Sequence, residues 1–485
     1  MTAAGRVRRG PASDRLAAIG LVAVLSSVAC APKVKYVAPS TQPAPTFKEN
    51  AGWKQAEPAD ATLRGAWWEL FGDAQLNALE SQIAISNQTL KAAAARFAEA
   101  RAAVSGARAA LYPQVGVAPS AGVFRPSGNR AISSFHDTYA DFLAPATVSY
   151  EPDFWGRLHG TLAENRALAQ ATAADLETAS LSVHAELALD YFMLRGFDRE
   201  RELLESAVTA YERALELTRN RFTGGLASQA DVALAETQLE TTRAQSVDIG
   251  VARAALEHAI AVLIGQSPSS FSLVQAPLAD EPPAIPAGLP SQLLERRPDV
   301  AAAERRVAAA NAEVGVATSA YYPILELTGA AGVESSSLAN LVSSVSTFWS
   351  AAPQLLVTVF DAGRRRAEAD QARAAYAQNV ATFQQAVLVV FQEVEDQLAA
   401  LRILDEEATI QRRAVDAAER SLQQATNRYR GGLASYLEVT FAQSVALANE
   451  RTAVDILTRR MTASVLLIKG LGGGWNVSAL PAVTR

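Results

Sequence analysis

A long internal duplication is the strongest constraint this sequence places on its fold. Tyr112-Pro113 recurs as Tyr322-Pro323, and Ala121-Gly122-Val123 as Ala331-Gly332-Val333, both at a spacing of 210 residues. Gly156-Arg157 recurs as Gly363-Arg364, and Gly224-Gly225-Leu226-Ala227-Ser228 shares its Gly-Gly-Leu-Ala-Ser with residues 431–435, both at a spacing of 207. A three-residue loop difference accounts for the change. Matches in fixed order over this length describe two tandem copies of one structural unit.

Each copy is expected to contain a long helix. Leu176, Val183, Leu187, Tyr191 and Leu194 correspond to Phe383, Val390, Val394, Leu398 and Leu401, and their spacings of three, four and seven are helical. No proline interrupts residues 156–220 or 362–428. At 1.5 Å per residue each helix reaches ~100 Å, far beyond the needs of a compact domain. Hydrophobic residues make up 49% of the 485 but aromatics only 7%, because the excess is alanine, which suits closely packed long helices. A generic coiled coil would satisfy these facts alone.

The segments between the helices argue against that reading. In 112–150 and again in 322–360, helical periodicity gives way to Gly, Ser, Pro and short alternations: Val115 and Val117 around Gly116, Leu325 and Leu327 around Glu326, and Leu355, Val357 and Val359 between Gln354, Leu356 and Thr358. These are read as β-hairpins with one lipid face and one water face. Two strands per copy give four per chain, too few to close a barrel, and an open edge inside a bilayer strands peptide groups at several kcal/mol each. Two chains would give eight strands and a lumen filled by side chains. Three would give twelve and leave a passage, which makes the trimer the expected state.

The N-terminus reads as an export signal. Arg6, Arg8, Arg9 and Arg15 precede an apolar run over 16–29, short for a bilayer span. Its removal takes away four arginines and Asp14, a net +3, and shifts the net charge from -6 to -9. Cys30, the only cysteine, follows Ser27-Val28-Ala29, where a bacterial lipoprotein is cut and acylated. Ser27 stands where such signals usually have leucine. The expected organisation is a signal peptide over 1–29, a lipid-anchored leader over 30–75 whose Trp67, Trp68 and Phe71 dock, a first repeat over 76–265, a linker over 266–290, a second repeat over 291–472 and a tail over 473–485.

With the repeat, strand pairs, long helices and acylated cysteine in place, the chain resembles the TolC-like outer membrane efflux factors, in the lipoprotein branch that includes OprM and NodT. The residues carrying this are Ala-Leu-Tyr-Pro at 110–113, Glu-Pro-Asp-Phe-Trp-Gly-Arg at 151–157, Leu-Leu-Glu-Arg-Arg-Pro-Asp-Val at 293–300 and Val-Phe-Asp-Ala-Gly-Arg at 359–364. The resemblance implies a mainly α fold with a β-barrel: a homotrimer with a twelve-stranded barrel in the outer membrane, a long α-helical barrel across the periplasm and an equatorial layer. It also implies partners, a periplasmic adaptor and an inner-membrane RND-type pump, with the chain as passive exit duct for drugs, metal ions or other small toxic solutes.

Gly224, Gly225, Gly431 and Gly432 are expected to end the long helices, since glycine adopts positive φ without steric penalty, and the resemblance adds adaptor docking at these tips. The family narrows its closed entrance just after the second turn, here Ser435 to Gln443, with acidic side chains. Glu438 occupies an acidic gate position, Asp231 is its first-copy counterpart, and Tyr436 lies beside it. Phe441 replaces a frequent aspartate, which points to a more hydrophobic gate. An acid in the first turn of a helix is also favoured by the dipole whatever its function. Arg364, Arg365 and Arg366 are expected at the strand-to-helix junction.

Other classes find little support. The charge is mild and forms no basic stripe, so nucleic acid is not an expected partner. The four histidines, at 136, 159, 184 and 258, are scattered, with no HExxH, GxSxG or phosphate-binding loop, so neither enzyme nor cofactor is expected. His136-Asp137 is weak as a metal pair. The alternatives kept open are a periplasmic coiled-coil adaptor lipoprotein without a pore and a duct for secreted proteins.

Overall fold

A computed structural model of the chain describes residues 36–40, 47–49, 66–127, 129, 137–279, 281–283, 285 and 296–481. Each repeat contributes a shorter helix, a β-hairpin, a 67-residue helix and a 35-residue return helix. In the first these are α2 (Gln88–Ala109), strands β1 (Gln114–Val117), β2 (Ser120–Phe124) and β3 (Tyr139–Tyr150), then α3 (Arg157–Thr223) and α4 (Gln229–Leu263), with a preceding α1 (Ala74–Ser86). In the second they are α5 (Pro298–Ser319), β4 (Ile324–Ser335), β5 (Thr347–Leu356), α6 (Arg364–Arg430) and α7 (Tyr436–Gly470). The two 67-residue helices each run ~100 Å.

The strands form one antiparallel sheet of four arms. β1 and β2 both pair with β3 in a single continuous register, Val117 opposite Ala146 and Ser120 opposite Leu143, so they are one arm interrupted at Ala118 and Pro119. The interruption has a cause: Pro145 stands opposite and has no N–H to give, so its carbonyl accepts from Ala118 N without a return bond. β3 pairs with β4 across the repeats, and β4 with β5. β5 ends at Leu356, so Val357 and Val359, expected in the alternation, lie past the strand.

The registers place Val115, Val117 and Val123 in one surface with Val148, Phe142, Leu325, Leu327, Val333, Leu355 and Trp349. The opposite surface is mixed: it carries Gln114, Ser120, Asp141, Thr147, Glu326, Thr328, Glu334, Ser350 and Gln354 together with Phe124, Leu143 and Phe348, and Ile324 and Leu356 at its helix-side end. On the apolar side Val115, Val117, Val123, Trp349 and Leu355 are exposed. An extended apolar surface on one side, with every acidic side chain of the strands on the other, is the pattern of a membrane barrel wall.

The principal core lies midway along the long helices. Val183, Leu187, Tyr191 and Leu194 from α3 and Phe383, Val390, Val394, Leu398 and Leu401 from α6 are buried there with Leu76, Ile83, Ile260, Val300, Val465 and Ile468. Of the apolar stripe read from the sequence only Leu176 is half-buried. The leader joins this core: Trp67 is buried, Trp68 stacks on His184 at 4.5 Å, and Phe71 meets Phe192 at 4.7 Å. Phe47 is buried too, and the backbone amides of Lys48 and Glu49 donate to Glu395. Among the described residues no helix is long and apolar enough to cross a membrane.

Candidate functional site: a two-faced sheet and paired helix tips

At the start of each long helix a glycine in the left-handed region, Gly156 (φ 79) or Gly363 (φ 91), turns the chain from sheet to helix. A carboxylate caps the exposed amides. Asp361 accepts from Gly363 N and Arg365 N, and Asp153 from His159 N, which holds both carboxyls below the usual range: at Asp361 chiefly through Arg365, at Asp153 through bonds from His159 that outweigh its burial. Arg365 pairs with Asp361 and lies over the Tyr321 ring, while the Arg364 and Arg366 side chains are exposed and form looser i,i+4 pairs. In the first repeat Arg157 holds Glu151 with two bonds at 3.0 and 2.6 Å.

The opposite ends of the long helices are Schellman turns. Leu226 N donates to Arg221 O at 2.8 Å and Gly225 N to Phe222 O at 2.9 Å; Leu433 N to Arg428 O and Gly432 N to Tyr429 O repeat this at 2.9 and 3.0 Å. Only the second glycine of each pair needs to be glycine on backbone grounds. Gly225 and Gly432 have φ 74 and 72, whereas Gly224 and Gly431, at φ -81 and -77, sit in ordinary right-handed space, so the expectation of positive φ at all four is corrected.

The two tips are stitched together by a small core of Tyr211, Leu215, Val232, Leu239, Tyr429, Tyr436 and Val439. Tyr436, taken from the sequence as a gate residue, is 2% exposed and packs edge-on to Tyr429 at 5.3 Å, so its ring supports the tip from within. Burial pushes its hydroxyl up to about 12. Arg221 lies over Tyr429 at 4.7 Å and donates to Arg430 O at 3.1 Å, and Tyr429 OH donates to Thr218 at 3.4 Å. These ties were not singled out in the sequence, although Asn220-Arg221 and Asn427-Arg428 repeat at 207 and could have flagged them.

The paired acids differ. Asp231 is consumed in a capping box: Ser228 N and Oγ donate to it at 2.9 and 2.8 Å, and its own N–H donates back to Ser228 Oγ. Ser435 makes no such side-chain cap, and Glu438 reaches Arg428 at 3.3 Å with both side chains about half-exposed. Phe441 is 71% exposed, as are Leu226, Leu433 and Leu437 to similar degree, while Leu234 packs against the tip core. Cys30 and His136 lie outside the described residues. Among the described residues no cluster of His, Cys, Asp and Glu is arranged to hold a metal.

The model of the family described as "Outer membrane efflux protein" matches residues 79–266 and 289–473, one match for each repeat. The toluene efflux pump outer membrane protein TtgF of Pseudomonas putida is 31% identical over 459 residues, covering 90% of this chain and 93% of that one. The cation efflux system protein CusC of Escherichia coli is 29% identical, covering 86% and 90%. The solved outer-membrane channel OprN superposes with a TM-score of 0.86 at 28% identity over 92% of this chain and all of that one. These matches leave no support for a coiled-coil lipoprotein without a pore. The chain, with its paired tips and its four-arm sheet, belongs to the outer membrane efflux protein family, a family of efflux channels.

Proposed function

We propose that three copies of this chain close a twelve-stranded barrel in the outer membrane and act as the passive exit duct of a tripartite pump, with a periplasmic adaptor and an inner-membrane RND-type transporter as partners. The single observation that carries this is the four-arm sheet. It has an even number of arms, so its two free edges run antiparallel to one another and can pair between copies while every backbone group stays bonded. Similarity to channels whose names include efflux pumps for toluene and for cations supports the same role.

The cargo class is small toxic solutes or drugs, selected upstream by the pump. Only two methionines follow the signal segment, the exposed Met193 and the core residue Met461, too few to form a thioether ladder for soft metal ions. Cys30 is the proposed site of lipid attachment, and replacing it with Ser should abolish palmitate incorporation.

The tips at Gly224-Gly225 and Gly431-Gly432 are the proposed adaptor contact, and the entrance is narrowed by Phe441 and Glu438. Asp231 is bound up in its cap, so the second repeat carries more of the gate. Single-channel recording in planar bilayers tests this: Glu438→Ala with Phe441→Ala should raise the closed-state conductance and weaken cation preference. Unchanged closure and selectivity would remove the gate assignment. Proline at both glycines of one tip should abolish efflux and co-purification with the adaptor while leaving trimers inserted; normal efflux would refute docking there.

A further inference from the structure

The outer end of the second hairpin is inside out for a loop in water. Between β4 and β5 the chain passes through two single 3-10 turns, Leu338–Asn340 and Ser344–Ser346, at the end of the sheet far from the helices. No acidic or basic residue and no histidine occurs from 335 to 360. Leu338, Val342 and Val345, spaced by four and three so that they share one side of a helical path, are 67%, 89% and 93% exposed. The hydroxyls that water would otherwise take are spent within the loop: Ser346 Oγ donates to Asn340 O at 2.7 Å and accepts from Ser343 Oγ at 2.9 Å. The backbone amides of Asn340, Leu341, Ser343 and Ser346 each close on the carbonyl three residues back.

Two further hydroxyls fix the side of the sheet to which the loop leans. Thr347, opposite Val333, and Ser335, opposite Phe142, both belong to the apolar surface. Thr347 Oγ1 donates to Ser344 O at 2.8 Å, and Ser335 Oγ accepts from Ser337 N at 3.1 Å. Both shoulders of the loop are tied to the surface that carries Val333 and the exposed Trp349, and the turn Ser344–Ser346 packs against β4.

We infer that residues 336–346 form an interfacial membrane contact, with Leu338, Val342 and Val345 seated among the acyl chains of the outer leaflet beside Trp349. A lipid surface is the partner this patch fits, because the patch continues the apolar surface of the sheet past its last paired residues. An uncharged segment with its hydroxyls already bonded also loses little on leaving water for the boundary between headgroups and chains. The inference rests on the barrel reading above and adds a contact made by one hairpin alone. The matching connection of the first repeat, residues 125–138, carries Arg125, Arg130, His136 and Asp137, a composition suited to water. A loop held in lipid is also held off the mouth of the duct, so the second hairpin of each copy leaves the outer exit clear.

Fluorescence quenching tests this. In a Cys30→Ser background, which removes the only native thiol, Val342→Cys, Val345→Cys, Trp349→Cys and Ser350→Cys are made singly and labelled with an environment-sensitive dye. Each protein is inserted into phosphatidylcholine vesicles, either with phosphatidylcholine bearing a nitroxide high on its acyl chain or with iodide in the water. Trp349 marks the apolar surface and Ser350 the opposite one. The nitroxide should quench the dye at 342 and 345 as strongly as at 349 and about threefold more than at 350, with iodide acting in the reverse order. Two loop positions keep the test decisive if one variant fails to insert. A dye at either position that answers to iodide as the one at 350 does, while 349 is still quenched by the nitroxide, overturns the contact and leaves the barrel intact. That pattern would describe a loop standing in water or folded over the lumen. Loss of nitroxide quenching at 349 as well overturns the barrel reading itself.

Discussion

Raising the pH should loosen the junction between α1 and α3 through one buried pair. Glu80 on α1 is fully buried, and its Oε2 lies 2.6 Å from His184 Nδ1 on α3, under the stacked Trp68 ring. Burial pushes the Glu80 carboxyl up to about 9 and the His184 imidazolium down to about 4, so the folded pair holds one proton across that whole range. In the unfolded chain the two groups bind two protons below pH ~4.5, one between ~4.5 and ~6.5, and none above. Stability from this pair is therefore greatest near pH 5 to 6 and falls on both sides. Above pH ~6.5 the folded state holds one proton more than the unfolded, and each pH unit costs about 1.4 kcal/mol, so moving to pH 8.5 removes about 2 to 3 kcal/mol. Hydrogen exchange of the α1 amides from Leu79 to Ile83, corrected for the intrinsic pH dependence, should quicken about 50- to 100-fold over that interval. Glu80→Gln keeps a donor for His184 and has nothing to titrate, so it should stay flat. Equal pH trends in wild type and Glu80→Gln would refute the reasoning.

Three further outcomes follow from geometry. Gly332→Ala puts a Cβ within 2.3 Å of Ala144 O and 2.8 Å of Pro145 Cα, and should block heat-stable trimer formation, whereas Gly116→Ala meets only Thr147 Oγ1 at 3.4 Å and should assemble normally on the same gel. Arg297→Ala removes a 5%-exposed guanidinium that bonds Asp299, Glu393 and Gly470 O; because both carboxylates keep some access to water, the loss in chemical denaturation should be about 2 to 4 kcal/mol. Gly225→Ala or Gly432→Ala should each destabilise the tip by about 1 kcal/mol, while Gly224→Ala costs less, a difference measurable by limited proteolysis at the turns.

The duplication, both long helices and the hairpins could be read directly, because periods of 3.6 and 2 are local properties of the chain. What escaped the sequence was long-range and chemical. Nothing local to Pro145 says that it interrupts a ladder at Ala118, 27 residues away, and nothing local to Tyr436 separates a pore-facing ring from one buried against Tyr429. The Arg-Arg-Pro-Asp motif was visible as a string but not as a fastening. Arg297 closes the C-terminal carbonyl of α7 at Gly470, and the equivalent position in the first repeat, Asn87, does the same for α4 at Leu263 O with a side-chain amide at 2.7 Å. One task is met by two unlike residues, and residue matching alone hides that equivalence.

This divergence within equivalence bears on how the entrance works. Where the repeats carry the fold they stay interchangeable: the left-handed glycines, the Schellman turns and the strand registers coincide. Where they meet solvent at the tips they separate. Asp231 is spent on Ser228, whereas Glu438 keeps a single exposed contact to Arg428. An exposed pair of this kind contributes about 1 kcal/mol or less, so separating Arg428 from Glu438 costs little. A capping box is worth more and ties its carboxylate to the backbone. In the proposed duct this makes the first tip the fixed side of the entrance and the second the movable one. Replacing Ser435 and Glu438 by a Ser-x-x-Asp box like that of 228–231 should hold the second tip closed, with unchanged trimers and reduced efflux in cells as the expected result. Full efflux through such a variant would mean that the two tips move as one.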